Sequence, residues 1–476
     1  MPLPVRYMVT LLWCLLCAHP AYAQGVTLLS PDGEIVAQGE LLDYDQDIYS
    51  LDTKYGPLSV NAKSVKCQGE LCPDLNTSES TNIVISGPPH LVEGLLIPHL
   101  KVFSERSNLS FVHDPDGKRV QIKDQLSELQ ITFLTTDQNS ALQPLIDGDA
   151  DIALTAHGAR DTEIKALERT GYGAVNVTLR GRVIGLDALV PTGSVAADLS
   201  AMNSNNWSFT DDFDRAQMDA FTLGNATQND QQNSAPMVEW KTFSKSLGTD
   251  IPRFNSNCGY SPLAHRLSIK SEDYPFTYPI ILYLAPKRMP DFIQAFFDYL
   301  QSPLAQIVTQ RAGFVDRRIE EFEINAQGQR LSNAILAAKT ELTQQDLQTI
   351  AALLQTHNRI TLSFRFEAGS SNLDAQSQAN IAQLANEIES GSLGRRHIVL
   401  AAFTDANGPE TANKELSQTR ADLVRAEIIS RLPADVAQTV QIEAIGFGET
   451  MPMACETNEL ERKINRRVEV WVSKVQ

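Results

Sequence analysis

Histidine, tryptophan and cysteine are scarce in this chain: eight, four and six among 476 residues. The histidines are scattered, which argues against a hydrolase built on clustered imidazole ligands to a metal. There is no G-x-S-x-G elbow, no glycine-rich loop ending in lysine and no H-E-x-x-H. Catalysis, a metal site and a cofactor are therefore not expected. Positive charge is also in deficit, with 40 Lys+Arg against 58 Asp+Glu and a net charge of -18. Phosphate binding needs a basic face, so a nucleic-acid partner is excluded and an anionic lipid surface is disfavoured. Beyond the N-terminus, no apolar run reaches the roughly 20 residues that a membrane-spanning helix needs.

What is present begins with an export signal. Arg6 gives a positive start, residues 7–17 are mostly apolar, and Ala21-Tyr22-Ala23 is a small-x-small cleavage pattern. Residues 1–23 are expected to be removed, leaving Gln24 first and taking Cys14 and Cys17 away. In an oxidising compartment Cys67 and Cys72 are expected to close a short disulfide loop. A zinc site there would need a second Cys/His pair at ligand spacing, and none follows. For Cys258 and Cys455, pairing and free thiols both stay open.

The organisation expected is multi-domain. Residues 24–73 alternate apolar and polar with Gly and Asp at the turns, which predicts a small β-rich unit. Residues 80–318 alternate short apolar runs with amphipathic stretches, as in "NIVISGPPH", "LVEGLLIPHLKVFSER", "LQITFLT", "SALQPLIDGDA" and "DIALTA". That order predicts an α/β module with a mostly parallel sheet and helices on both faces. One helix is expected over "PDFIQAFFDYLQSPLAQIVTQRAG". Residues 319–357 read as a helical connector, with Leu342, Leu347, Ile350, Leu353 and Leu354 on one face. Residues 358–476 alternate strands and helices as a compact α+β domain.

The strongest motif lies at 403–425, "FTDANGPETANKELSQTRADLVR". Asp405 ends a strand, Gly408 allows a tight turn, Asn413 precedes a helix and Arg420 lies on it. A carboxylate and a guanidinium facing one cleft would match a zwitterion, its ammonium on Asp405 and its carboxylate on Arg420. The segment resembles the OmpA-like peptidoglycan-binding domain, whose signature TD-x-x-G, N-x-x-L-S-x-x-R-A is met by Thr404-Asp405, Gly408, Asn413, Leu416-Ser417 and Arg420-Ala421. "GFGETMP" and "NRRVEV" follow in order. The resemblance implies that Asp405 and Arg420 hold the diaminopimelate of the peptide stem, with Thr404 and Asn413 lining the pocket. Arg466 and Arg467 are expected to act structurally through the last strand. Phe403 stands where His often precedes Thr-Asp.

The central stretch resembles the phosphate type of periplasmic solute-binding protein, a two-lobed periplasmic-binding-protein type II fold. "IDGDADIALTAHGAR", "VIGLDALVP", "EDYPFTYPIILYL" and "FFDYLQSPLAQIVTQRAGFV" carry the likeness. Anion sites of that kind use backbone N–H groups at helix N-termini. Here Gly87 is followed by Pro88 and Pro89, which have none to donate. "TTDQNSA" replaces the second loop, and no third appears in 200–250. The residues left for a cleft are Gly87, His90, Thr155, His157 and Arg160, and the ligand is expected to differ from phosphate or to be absent. The resemblances together imply a periplasmic protein associated with the wall or outer membrane, its module serving a small solute, an anion or an envelope protein partner. Two rivals are an oxyanion-uptake component and a structural protein whose module only binds partners.

Overall fold

The computed structural model describes residues 25–30, 32–45, 48–69, 72, 82–123, 128–167, 181–191, 197–198, 237–242, 254–255, 263–285, 289–322, 330, 344–366, 373–456 and 459–475. The chain divides into two compact units, Met1–Pro73 and Asp74–Gln476.

The first unit is a five-stranded antiparallel sheet of Gly25–Leu29, Ile35–Asp45, Ile48–Thr53, Gly56–Asn61 and Lys66–Gln68. Alternation places Val26, Leu28, Leu41, Tyr49 and Leu51 inside, the period-2 rule of a sheet with one buried face. Cys67 and Cys72 form a disulfide with their Cα atoms 5.6 Å apart.

The second unit contains an eight-stranded and a four-stranded sheet. The first runs in the order Met237–Glu239, Arg182–Pro191, Thr277–Leu284, Ile152–Thr155, Asn82–Gly87, Glu128–Thr135, Arg119–Lys123, Ser110–His113. Among the described strands, parallel pairing joins Ile152–Thr155 to Asn82–Gly87 and Asn82–Gly87 to Glu128–Thr135, and the other pairings in this sheet are antiparallel. The sheet is therefore mixed rather than mostly parallel. The difference comes from two places: Thr277–Leu284 runs antiparallel to both Ile152–Thr155 and Arg182–Pro191, and a hairpin, Ser110–His113 with Arg119–Lys123, closes the other edge. Its "DPDG" turn joins two alternating runs, a strong hairpin signal.

Helices pack over this sheet. In the first, a π-helical turn at Val92–Leu96 leads into Ile97–Arg106. Pro98 follows directly; a ring that removes one N–H is accommodated by such a widened turn. The long C-terminal helix expected near 290–313 is two, Asp291–Leu300 and Pro303–Ala312. Ser302 breaks it: its side chain caps Ala305 N, and Pro303 occupies the first turn, where a missing N–H is harmless. Phe103 meets Phe292 and Phe296 edge-on at 5.1 and 5.5 Å, fixing these helices together.

The second sheet orders His357–Arg365, Arg467–Ser473, Ile398–Phe403 and Ile442–Gly446. Helices Ala375–Glu389 and Glu410–Ser430 cover one face, burying Ile360, Leu362, Phe364, Leu400, Val424 and Val470 in one core. Each such side chain withdrawn from water contributes about 1.5–3 kcal/mol.

The other face is covered in two halves. Over Ile398–Phe403 lies helix Gln344–Thr356, with Ile350, Leu353 and Leu354 against Val399, Ala401, Phe403 and Trp471. Over His357–Arg365 lies the turn 271–273 of the central module. Arg359 grips the Asp273 carboxylate through both terminal nitrogens, at 2.6 and 2.9 Å. Ser363 donates to Ser271 O at 2.6 Å, and Arg365 donates to Glu272 O at 2.8 Å. Glu469 lies behind Arg359, 3.4 Å from its Nε, and is also paired with Arg467 and Arg330. The central sheet and the C-terminal sheet thus share a buried ionic seam.

The stretch at 319–322 is extended rather than helical. Phe322 N donates to Arg359 O at 2.8 Å, and Thr361 N donates to Glu320 O at 2.9 Å. Strand His357–Arg365 is at the sheet edge, and its outer backbone groups need partners once buried. Leu342 lies outside the described residues.

Candidate functional site

In the central module, the five residues expected to form a cleft follow the C-terminal ends of the parallel strands. Open α/β sheets bind ligands at that edge. Gly87 ends its strand, where an added Cβ would lie 3.0 Å from Leu154 Cβ and 3.1 Å from Leu154 O. His90 is 3.1 Å from Gln138 Nε2 and 3.4 Å from Glu239 Oε1. Burial, then the Lys241 charge, lower its pKa to about 4, against the pull of Glu239. Thr155 is fully buried and donates to His157 O at 2.7 Å.

His157 Nδ1 is 2.6 Å from Gly158 O, so Nδ1 carries the proton. Its Nε2 is buried with no hydrogen-bond partner among the described residues, as is Thr136 Oγ1. Arg160 Nη2 donates to Glu163 Oε1 at 2.7 Å and to Asn139 O at 2.8 Å. Its charge is therefore matched by Glu163. Most of 200–250 lies outside the described residues.

The C-terminal pocket is built where strand Ile398–Phe403 ends. Thr404 N donates to Gly448 O at 2.8 Å, which joins this strand end to the loop after Ile442–Gly446. Asp405 is 7% exposed. Its Oδ1 accepts from Asn407 N at 3.1 Å, and its Oδ2 accepts from Arg466 Nη1 at 2.8 Å. Gly408 turns the chain at φ +102°, a conformation that favours glycine. Helix Glu410–Ser430 then begins, so Asn413 lies in its first turn rather than ahead of it.

Arg420 is 1% exposed, with its guanidinium 4.9 Å from the Phe366 ring centre. Burial, then repulsion from Arg466, lower its pKa to about 10, while Asp405 pulls the other way. Asp405, Arg420 and Arg466 thus share one electrostatic neighbourhood. Thr404 Oγ1 is buried without a hydrogen-bond partner among the described residues. Asn413 Nδ2 donates to Glu449 Oε2 at 3.2 Å. The opposite wall is pinned to the helix: Gly448 N donates to Ser417 Oγ at 2.8 Å. A Cβ on Gly446 would come within 2.3 Å of Gln418 N.

Residues 365–466 match the model of the OmpA family. The C-terminal segment is an OmpA domain. The chain is 32% identical over 114 residues to "Outer membrane porin F" of Pseudomonas fluorescens, covering 24% of this chain and 33% of that protein. It spans about a third of the length of the curated relatives it matches. Among solved structures, the peptidoglycan-associated lipoprotein from Burkholderia pseudomallei aligns at 26% identity and TM-score 0.21, covering 27% of this chain and 99% of that one. A possible phosphate binding protein from Planctomyces limnophilus aligns at 11% identity and TM-score 0.34, covering 50% and 93%.

Within the OmpA domain, the structure adds to the expected residues. Arg466 is not only a strand anchor, because it pairs directly with Asp405. Arg467 is held within the domain, with Nη2 donating to Met451 O at 2.9 Å and Nε to Glu469 at 2.7 Å. Glu456 also reaches the site, with Oε2 accepting from Ala406 N at 2.9 Å. Position alone gave Glu456 no signal. Arg466 lies just before strand Arg467–Ser473, so no strand alternation marked it. Cys455, in the same loop, is disulfide-bonded; Cys258 lies outside the described residues. Among the described residues no three His, Cys, Asp or Glu gather as metal ligands, and no helix is long and apolar enough to cross a membrane.

Proposed function

We propose that this is an exported envelope protein that holds peptidoglycan non-covalently through its OmpA domain and presents the central module beside the wall. The boundaries we assign are 24–73, 80–318, 319–357 and 358–476. The carrying observation is the gathering of buried opposite charges at one strand end: Asp405 and Arg420 are 7% and 1% exposed, the Asp405 charge acts on Arg420, and Asp405 is ion-paired with Arg466. The diaminopimelate of a peptide stem has a carboxylate and an ammonium on one carbon, which matches that pair. Thr404 and Asn413 line the same pocket. The test is a pull-down of the protein on purified diaminopimelate-type peptidoglycan, beside Asp405→Ala and Arg420→Ala. Retention of wild type and loss of both folded variants is expected. Equal retention of all three would sink the assignment.

For the central module we propose a two-lobed solute-binding arrangement with its ligand at Gly87, His90, Thr155, His157 and Arg160. Two buried polar atoms without partners, His157 Nε2 and Thr136 Oγ1, support a ligand-binding role over a purely structural one. An oxyanion is disfavoured, because Arg160 is matched by Glu163 and the first loop carries two prolines. Thermal-shift screening of small anions against amines and amides tests this. Stabilisation that grows with a neutral or cationic solute is expected; stabilisation by phosphate alone would restore the oxyanion-uptake reading.

A further inference from the structure

We propose that helix Gln344–Thr356 is a positioning element of the Asp405–Arg420 pocket, seated against each segment that builds it, so that filling the pocket and seating the helix are coupled. The inference rests on the peptidoglycan reading above.

The helix lies ahead of residues 365–466, the stretch that matches the OmpA family. Strand Ile398–Phe403 is buried along its whole length. Successive side chains of a strand point to opposite faces, so such a strand needs two covers. Helices Ala375–Glu389 and Glu410–Ser430 supply one. Ile350, Leu353 and Leu354 supply the other, in one core with Phe403, Phe447 and Met451.

These contacts reach the strand end, the loop and the helix of the pocket. Phe403 directly precedes Thr404 and Asp405. It stacks on Phe447 with ring centres 5.4 Å apart and planes at 14°. Phe447 opens the loop in which Gly448 O accepts from Thr404 N and Gly448 N donates to Ser417 Oγ. Further along that loop, Met451 has φ +55°, left-handed backbone that a side-chain-bearing residue adopts rarely. It is 3% exposed, and its carbonyl accepts from Arg467 Nη2 at 2.9 Å. On the pocket helix, Lys414 follows Asn413. Its Nζ is 2.6 Å from Asp346 Oδ1 and 5.6 Å from the Phe447 ring centre. The last turn of Gln344–Thr356 is held as well. Lys474 Nζ donates to Leu354 O and Gln355 O at 3.1 and 2.7 Å, the contact a cation makes with the orphan carbonyls of a helix end.

Close-packed interiors have low compressibility and transmit strain. Movement of the strand end or loop on binding is therefore passed through the Phe403–Phe447 stack to Ile350, Leu353 and Leu354. A loosened helix disturbs Thr404 and Asp405 by the same route, without touching the ligand.

The experiment measures amide hydrogen exchange of the full protein with and without a synthetic stem peptide containing diaminopimelate. Peptide affinity is measured by calorimetry for wild type, Ile350→Ala and Leu384→Ala. Leu384 is buried in the core on the opposite face, so its variant controls for lost stability alone. Peptide binding is expected to slow exchange in 344–356 as well as in 403–408. Ile350→Ala is expected to weaken binding by about threefold or more relative to Leu384→Ala, the scale on which residues modulate a site they do not contact. Unchanged exchange in 344–356 while 403–408 slows, or equal affinities of the two variants, would overturn the coupling. If wild type does not bind the peptide, the peptidoglycan reading falls and this inference with it.

Discussion

Arg359 forks onto Asp273 across 86 residues of sequence, with Nη1 2.6 Å from Oδ2 and Nη2 2.9 Å from Oδ1. Burial alone would raise the Asp273 carboxyl, but Arg359 and then Arg365 bring it to about 2. Removing one member of a buried pair leaves the other charge uncompensated. Asp273→Ala is expected to cost about 3–5 kcal/mol. The Asp273→Leu/Arg359→Leu double variant should recover part of that loss. Urea denaturation of the three variants checks both expectations.

Glu272, its neighbour, titrates in the opposite sense. Burial, then the Asp374 charge, raise its carboxyl to about 8, against Arg365. A group whose folded pKa is raised contributes its full stability below the unfolded value of 4.5 and loses it as pH rises through 8. Wild type should therefore lose thermal stability between pH 5 and pH 8.5 relative to Glu272→Gln, which mimics the neutral acid. Parallel melting curves for the two would contradict this. Asp273 works the other way: its contribution is present above 3.8 and fades as pH falls toward 2.

Gly446 tests the wall of the pocket. The added methyl of Gly446→Ala would meet Gln418 N at 2.3 Å, and that atom is helix backbone. Overpacking against an element that cannot yield costs about 1–3 kcal/mol or more. A lower melting temperature with weakened peptidoglycan retention is expected. A neutral result would show that the loop can leave the helix freely.

In the N-terminal unit, Cys67 and Cys72 close a loop of sequence separation 5. In the chain-entropy account, so short a loop still stabilises by about 2 kcal/mol. Cys67→Ser should lower the unfolding midpoint by a matching amount, and reduction of wild type should reproduce it. No change on reduction would place the stability of this sheet elsewhere.

Local patterns carried much of this fold. Alternation in 24–73, the strand ends at Asp405 and Thr155, and the helix bearing Arg420 are all short-range signals with a physical cause. The parallel character of the central sheet was overestimated for two reasons: "SFVHDPDGKRVQIK" was left without an assignment, although its turn and alternation are those of a hairpin, and the reversed direction of Thr277–Leu284 is a long-range pairing that no local pattern shows. The split at Ser302-Pro303 was also written in the chain, as a cap followed by a first-turn proline.

The remaining misses are long-range. Nothing near Arg466 says that it will meet Asp405, because that depends on the start of the last strand lying against the end of another, 61 residues away. Arg359 and Arg365 read as ordinary charges on an edge strand. Their burial follows only from the turn that docks on them, and that turn lies in a segment whose own pattern predicts no partner.

Strand His357–Arg365 has two committed faces. Ile360, Leu362 and Phe364 belong to the core of the OmpA domain, whereas Arg359, Ser363 and Arg365 bond to 271–273, with Glu469 behind Arg359 and Ile464 O also accepting from Arg365. Excised at residue 357, the domain would turn two guanidiniums that have lost the Asp273 carboxylate, and half a sheet face, toward water, and the central module would be left with an orphaned acidic turn. The OmpA domain of this chain is therefore not a portable cassette. A pull on the OmpA domain would be transmitted to the module through the backbone and the ionic seam together, as along a welded bracket rather than a leash.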